Sequence, residues 1–256
     1  MTCESPYPLA PPRAAGPVPK IAFTHTESIV PPSRFALGLG PLDATLGGGL
    51  ARARLHELWP VAAEDGPSAT GFALMLALRA SGAKGTIVWI GQEHGRAGAL
   101  YPPGLAELGI DPGRILFVAA PDEKALLRAA GDVVRSPAAA VAVIAPAGPA
   151  PLLGLTASRR LTLFAERSGT TAILLRTIDP QAPSAATTRW RVAAAPSQAL
   201  EANAPGQTAF SLDLLRHRGG APSHGWQVEW DRDRARFAPL SRAVAADAGG
   251  GYLATG

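Results

Sequence analysis

The feature that most restricts the fold is an alternation of short apolar runs with longer amphipathic runs between residues 53 and 177. The apolar runs predict strands at 53–59, 85–91, 114–120, 139–146 and 170–177. The amphipathic runs predict helices at 69–81, 102–109, 122–136 and 156–169. Because successive strands joined through helices lie parallel, this order predicts an α/β fold with a mostly parallel sheet flanked by helices.

Beyond residue 177 the pattern changes to strands without helices between them. The apolar runs here predict strands at 188–195, 208–218 and 225–231. The last two are joined by the turn-rich segment RGGAPSHG, so we predict a C-terminal antiparallel hairpin extension of the parallel core. We expect a single domain at 34–240, between a disordered, proline-rich arm at 1–33 and a flexible tail at 241–256.

The composition excludes several classes of protein. Hydrophobic residues make up 47% of the chain and charged residues 17%, which supports a packed core. The single cysteine, Cys3, excludes a disulfide framework and a multi-cysteine metal site, and we predict no bound metal. No apolar run reaches the ~18 residues of a membrane-spanning helix, and no signal peptide is evident. We therefore expect a cytoplasmic protein, or one associated with the nucleoid, without a membrane partner.

The stretch AEDGPSAT at 63–70 stands where a phosphate-binding loop would connect a strand to a helix. Such a loop uses backbone N–H groups, a lysine on the outer phosphates and a hydroxyl on Mg²⁺. The candidate loop residues are Gly66, Ser68, Ala69 and Thr70, but Ala69 stands where the lysine should be, and the acidic pair at 64–65 would repel phosphate. The stretch is either a vestigial nucleotide site or an ordinary strand-to-helix turn.

Two other strand ends bear on nucleotide chemistry. Glu93 and His94 follow the strand at 85–91, and a carboxylate there either orients water for hydrolysis or belongs to a solvated loop. The strand at 139–146 ends in Ala145 and Pro146, where a nucleoside triphosphatase places an acidic residue for Mg²⁺. A second nucleotide ligand is therefore missing, which leaves Glu93 as a vestigial catalytic candidate.

Arginines flank the polar segment at 176–191. Arg176, Arg189 and Arg191 surround a run of proline, serine, alanine and threonine. They either track a nucleic-acid backbone or face a protein partner across a solvated connection. Trp190 lies between two of these arginines, and it is either a core residue or an exposed aromatic that meets a base or a partner.

The segment LGPLDATLGGGL at 39–50 resembles the opening of the RecA recombinase core, in which a strand and then the phosphate loop follow. Glu57 fits the acidic residue of that strand, and Glu93 falls at the glutamate that activates water in the family. The resemblance covers about residues 33–231. It implies a RecA-like core in which Ala69 and Ala145 replace the phosphate lysine and the strand-end aspartate. Near Thr177 the glutamine of the family's nucleotide-sensing switch is also missing.

Three segments are similar to the ImuA family, the RecA-like accessory proteins of the bacterial mutasome, at 155–176, 183–192 and 212–220. The similarity rests most on Arg159, Arg160 and the run Arg189-Trp190-Arg191, which become candidate DNA-binding or partner-binding residues. It implies a role in damage-induced mutagenesis with an ImuB-type Y-family-like protein and an error-prone C-family polymerase. RecA and single-stranded DNA are further candidate partners.

The missing ligands together predict a non-catalytic adaptor with no bound cofactor, because phosphoryl transfer needs lysine and Mg²⁺ to neutralise charge. Its function would be to support error-prone translesion DNA synthesis through protein contacts. Two alternatives are a RecA-like ATPase with an unusual site that includes Glu93 and Thr70, and a single-strand DNA-binding protein of the SOS response. The ATPase would bind ATP, and the DNA-binding protein would use Arg189 and Arg191 in a salt-dependent contact.

Overall fold

The computed structural model describes residues 32–92, 100–177, 182–198, 206–218, 220 and 225–240. The predicted arm at 1–33, apart from its last two residues, and the predicted tail at 241–256 lie outside the described residues. Glu93 and His94, the vestigial catalytic candidate and its neighbour, lie outside them as well.

The described helices are α1 (Gly40–Thr45), α2 (Gly66–Ser81), α3 (Pro102–Glu107), α4 (Glu123–Arg135) and α5 (Leu155–Ser168). The described strands are β1 (Arg34–Phe35), β2 (Leu50–Ala51), β3 (Leu55–Pro60), β4 (Ile87–Gln92), β5 (Ile115–Ala120), β6 (Val141–Ala145), β7 (Thr171–Leu175), β8 (Thr188–Ala194), β9 (Ala209–His217), β10 (Gly225–Asp231) and β11 (Arg236–Pro239). Each predicted strand and helix is present, with its ends shifted by a few residues. Among the described helices, none combines the length and apolarity that crossing a membrane requires.

The main sheet has the strand order β11-β10-β9-β8-β3-β7-β6-β4-β5. From β8 to β5 neighbouring strands are parallel, and from β8 to β11 they are antiparallel. The predicted mostly parallel sheet with an antiparallel C-terminal extension is therefore confirmed. Strand β11 extends the predicted hairpin by one more strand that the sequence pattern did not indicate.

Helices cover both faces of this sheet. On one side, called the α2 face, Phe72 of α2 packs against Phe210 and Phe237, with ring centroids 5.6 and 5.2 Å apart. On the other side, called the α5 face, Leu126 of α4 and Leu161 of α5 are buried in a second, aliphatic cluster. The two clusters explain why β6 and β7 are apolar along nearly their whole length, since strands covered on both faces cannot alternate.

The glycine-rich segment before β3 is held by specific backbone contacts. The Asp43 carboxylate accepts hydrogen bonds from the backbone N–H groups of Leu37 and Gly38, at 2.7 and 2.9 Å. Gly49 has a φ of +114°, and a Cβ there would collide with the Phe35 carbonyl, so only glycine fits. This segment, which carries the resemblance to the RecA core, is therefore determined by turn geometry and packing.

Candidate functional site

A cavity of about 720 Å³ lies on the α2 face, beside the carboxyl ends of β3, β6 and β7. Ligands of parallel α/β sheets bind at this end of the strands. The described lining is mainly apolar and includes Ala69, Leu74, Leu105, Leu108, Ala145 and Leu175. The two positions at which the sequence departs from a nucleotide site, Ala69 and Ala145, therefore line the same cavity.

Polar groups are sparse in the described lining. Arg176 is its one charged side chain, and Thr70, Tyr101 and Thr177 supply the side-chain hydroxyls. The Thr70 hydroxyl donates a hydrogen bond to the Gly66 carbonyl at 3.0 Å. The Thr70 hydroxyl therefore donates its proton within the first turn of α2 and not into the cavity.

The candidate phosphate loop is a tight turn. Residues Ala63–Asp65 form a single 3₁₀ turn, and α2 begins at the next residue, Gly66. The Asp65 carboxylate accepts from the backbone N–H of Ala62 at 3.2 Å and from that of Ala194 at 2.9 Å. This acidic residue therefore ties the turn to the end of β8, a structural role that its sequence position did not reveal.

A buried charge cluster lies on the opposite face at the same end of β3. The Glu57 side chain has no exposed surface, and its Oε1 accepts from Arg176 Nη2 at 2.8 Å and from Ser184 Oγ at 2.7 Å. Its Oε2 lies 3.2 Å from Arg189 Nε, an ion pair whose two atoms have no well-oriented hydrogen bond. Arg176 also donates to the Leu153 carbonyl at 2.7 Å.

The Arg189 guanidinium contacts an aromatic ring and a backbone carbonyl in addition to Glu57. The guanidinium lies 4.6 Å from the centre of the Trp59 ring and donates to the Ala182 carbonyl at 2.9 Å. Burial lowers the pKa of the Arg189 guanidinium, and the neighbouring Glu57 charge opposes that shift. Side chains of Arg176 and Arg189 are each 12% exposed, so two of the candidate binding arginines are engaged inside the protein.

Trp59 and Trp190 both lie in the protein interior. Trp59 is 2% exposed and Trp190 is fully buried. Trp190 Nε1 donates a hydrogen bond to Thr188 Oγ1 at 2.8 Å, so its polar atom is satisfied within the core. Of the two interpretations that the sequence allowed for Trp190, the core residue is correct, because its strand lies in the interior of the sheet.

A buried histidine, which no sequence motif indicates, continues this hydrogen-bond chain. His56 Nε2 lies 2.9 Å from the Ala51 carbonyl, and Nδ1 lies 2.8 Å from Thr188 Oγ1. The carbonyl can only accept, so Nε2 carries the proton and Nδ1 accepts from the threonine hydroxyl. Burial is the main cause that lowers the pKa of His56 to about 4. Nothing in the sequence distinguishes this neutral histidine from a ligand, because its two partners are a backbone carbonyl and a threonine 132 positions away.

The remaining candidate arginines lie on the surface in two places. Arg159 and Arg160 are exposed on α5, and Arg191 is exposed on β8. In contrast, Arg176 and Arg189 meet at Glu57. The structure therefore separates the predicted set into a buried pair and exposed side chains.

Comparisons with known proteins agree with the fold. The sequence matches no protein-family model and no curated protein. Among solved structures, the chain is similar to the crystal structure of the RadB recombinase, with a TM-score of 0.55 and 16% identity. The match covers 81% of this chain and 100% of that one. The protein has a RecA-like fold, and at this level of identity the similarity concerns the fold alone.

Proposed function

We propose that the protein is a RecA-like adaptor that does not turn over ATP. The observation that carries this proposal is the apolar lining of the cavity beside α2, where Ala69 and Ala145 occupy two nucleotide-ligand positions. A bound triphosphate requires cations and N–H donors around its oxygens. Arg176, the charged residue of the described lining, is already paired with Glu57.

The start of α2 also fits a phosphate poorly. Pro67 stands in the first turn of the helix, and proline has no backbone N–H to offer an anion. The N–H groups of Ala62 and Ala194 are directed at Asp65 instead. The described residues therefore do not fit a Mg²⁺-bound triphosphate, and no catalytic step is assigned to them.

The finer role that we propose is that of an ImuA-type component of the bacterial mutasome. In this role the protein would support damage-induced, error-prone translesion DNA synthesis by contacting an ImuB-type Y-family-like protein and an error-prone C-family polymerase. The support for this role is the similarity at 155–176, 183–192 and 212–220, together with a RecA-like fold whose nucleotide position is apolar.

Nucleotide binding tests the non-catalytic half of the proposal. We expect that ATP, ADP and Mg²⁺ leave the thermal unfolding midpoint unchanged, and that purified protein shows no ATP hydrolysis above buffer. Glu93→Gln should have no effect on that baseline. ATP hydrolysis that persists through purification and disappears in Glu93→Gln would contradict the proposal and favour the ATPase.

Reconstitution tests the adaptor half. The purified chain is mixed with an ImuB-type protein and the C-family polymerase, and complexes are separated by size-exclusion chromatography. We expect one complex that contains all three proteins and survives without nucleotide. A mixture in which this chain elutes alone, with and without single-stranded DNA, contradicts the mutasome role.

A further inference from the structure

The outer surface of α5 combines an exposed leucine with several arginines. Leu163 is 50% exposed, although most leucines of the described residues are buried. Three exposed arginines lie on the same helix. Arg159 and Arg160 precede Leu163 by four and three residues, and Arg167 follows it by four. Residues at these spacings are neighbours on a helix surface. These four side chains form one strip, called here the α5 strip.

The charge of the α5 strip is not neutralised within the described part of the protein. The side chains of Arg159 and Arg167 make no hydrogen bond or ion pair there, and the Arg160 side chain makes only a distant contact with the Phe164 ring, at 6.0 Å. The nearby carboxylate of Glu166 lies 3.4 Å from Arg54, a residue outside the strip. The strip is therefore a positively charged surface with an apolar centre.

Two kinds of partner have negative charge that would complement these arginines. A nucleic-acid backbone supplies phosphates for the arginines, but its sugars offer Leu163 less apolar surface than a large apolar side chain does. An acidic protein segment supplies carboxylates and can place an apolar side chain against the leucine, which removes its exposed surface from water. The exposed leucine at the centre of the strip thus favours a protein segment.

We infer that the α5 strip docks an acidic amphipathic helix of a partner protein. One apolar side chain of that helix would pack against Leu163, and carboxylates beside it would pair with Arg159, Arg160 and Arg167. The distance from Arg159 to Arg167 along α5 is about 12 Å, a little over two helical turns of a partner. The inference rests on the proposed adaptor function, for which it names a binding surface and the chemistry of its partner.

The test uses the full chain and designed peptides. The probe is a fluorescein-labelled helical peptide with leucines along one face and glutamates on either side of them. A second peptide carries lysines in place of the glutamates, and a third has the acidic composition in a scrambled order. Fluorescence anisotropy then measures the affinity of each peptide, and that of an oligo-dT single strand, at low and physiological salt.

Two variants separate charge from apolar contact. The double variant Arg159→Glu, Arg160→Glu should lower the affinity for the acidic peptide by about tenfold or more, because charges at the rim of an interface steer and hold a partner. The same double variant should bind the lysine peptide more tightly than the unchanged protein does. Leu163→Ser should lower the affinity for the acidic peptide several-fold, and the dependence of that affinity on salt should not change.

Matched controls come from other surfaces. Leu116 on β5 is 58% exposed, and Arg218 after β9 is exposed as well. Leu116→Ser and Arg218→Glu should leave the affinity for the acidic peptide unchanged. All variants should keep the circular dichroism spectrum and melting midpoint of the unchanged protein, since each site is on the surface.

Several results would overturn the inference. One is equal affinity for the ordered and scrambled acidic peptides; another is a Leu163→Ser variant that binds as tightly as the unchanged protein. Tight oligo-dT binding that needs Arg159 and Arg160 but not Leu163, with no peptide binding, would assign the strip to nucleic acid. If the three-protein complex still forms with the double variant, the α5 strip is not the docking site although the adaptor role stands.

Discussion

The two faces of the sheet differ sharply at the carboxyl end of β3. On the α2 face, where a nucleotide-binding protein would place charge, the cavity is lined by Ala69, Ala145 and leucines. On the α5 face, where a strand interior would be apolar, Glu57 is buried between Arg176 and Arg189. The charged side chains at this end of β3 pair with one another across strands, whereas the cavity is lined mainly by apolar residues.

The difference shows which contacts stabilise the carboxyl end of β3 in this RecA-like fold. Arg176 follows β7 and Arg189 lies in β8, so one carboxylate on β3 holds both ends of the segment between these strands. The cluster does not require a ligand, because Glu57 also accepts from Ser184. The arrangement predicts that stability depends on the α5-face cluster much more than on the polarity of the cavity.

The largest expected effect comes from removing the buried carboxylate. Glu57→Gln leaves two largely buried guanidiniums without a counter-ion, and we expect a loss of about 3–5 kcal/mol in the free energy of unfolding. Urea unfolding followed by tryptophan fluorescence measures it. The control is Glu166→Gln, which breaks the more exposed pair with Arg54 and should cost at most about 1 kcal/mol. Similar losses in the two variants would contradict a special role for the cluster.

The next effect concerns His56, which lies beside Glu57 in β3 but is neutral and faces the α2 side. Its folded pKa of about 4 lies below the ordinary 6.5, so between these values the unfolded chain binds a proton that the folded chain does not. This contribution to stability is complete above about pH 6.5 and is lost as the pH falls toward 4, by about 3 kcal/mol in total.

Unfolding free energies measured between pH 7 and 4.5 test this titration. His56→Gln should be less stable than the unchanged protein at pH 7, because it disturbs the contact with Thr188. Its stability should nevertheless fall less steeply with decreasing pH. An identical slope in both proteins would assign the acid sensitivity to other groups.

A smaller effect is expected inside the cavity. Ala69 is 1% exposed, so a lysine at this position would place a charged ammonium group among apolar lining residues. A methionine of similar length would enter the same space without a charge. We expect Ala69→Lys to be less stable than Ala69→Met by about 1–2 kcal/mol, because a charge loses hydration without gaining a partner. Thermal unfolding with and without ATP provides the measurement. Stabilisation of the lysine variant by ATP would show that the site needs only its lysine.

The smallest effects belong to the α5 strip. Arg159→Ala and Leu163→Ser change exposed side chains, so each should alter the unfolding free energy by no more than about 0.5 kcal/mol. Urea unfolding beside Glu57→Gln measures this difference directly. A loss of more than about 1 kcal/mol in either variant would mean that the strip stabilises the fold and is not merely a surface for a partner.

The alternation of apolar and amphipathic runs determined most of the fold. It placed the strands and helices between residues 53 and 177, because strands that are covered on both faces must be apolar and their crossover helices amphipathic. The short elements α1, β1 and β2 were not predicted. They depend on contacts such as those of Asp43 with Leu37 and Gly38, which leave no periodic pattern in a sequence.

The sequence by itself determined the type of sheet. It also determined that Ala69 and Ala145 stand where the resemblance predicts a lysine and a strand-end acid, since both are read from residue identity at a position in the order of elements. Only the tertiary structure decided that Trp190 is a core residue and that Arg176 and Arg189 pair with Glu57. Glu57 meets Arg176 across 119 positions of the chain, and Arg189 joins them because β8 lies beside β3. Whether an arginine binds a partner or its own core depends on such long-range pairing, which residue type and local spacing do not encode.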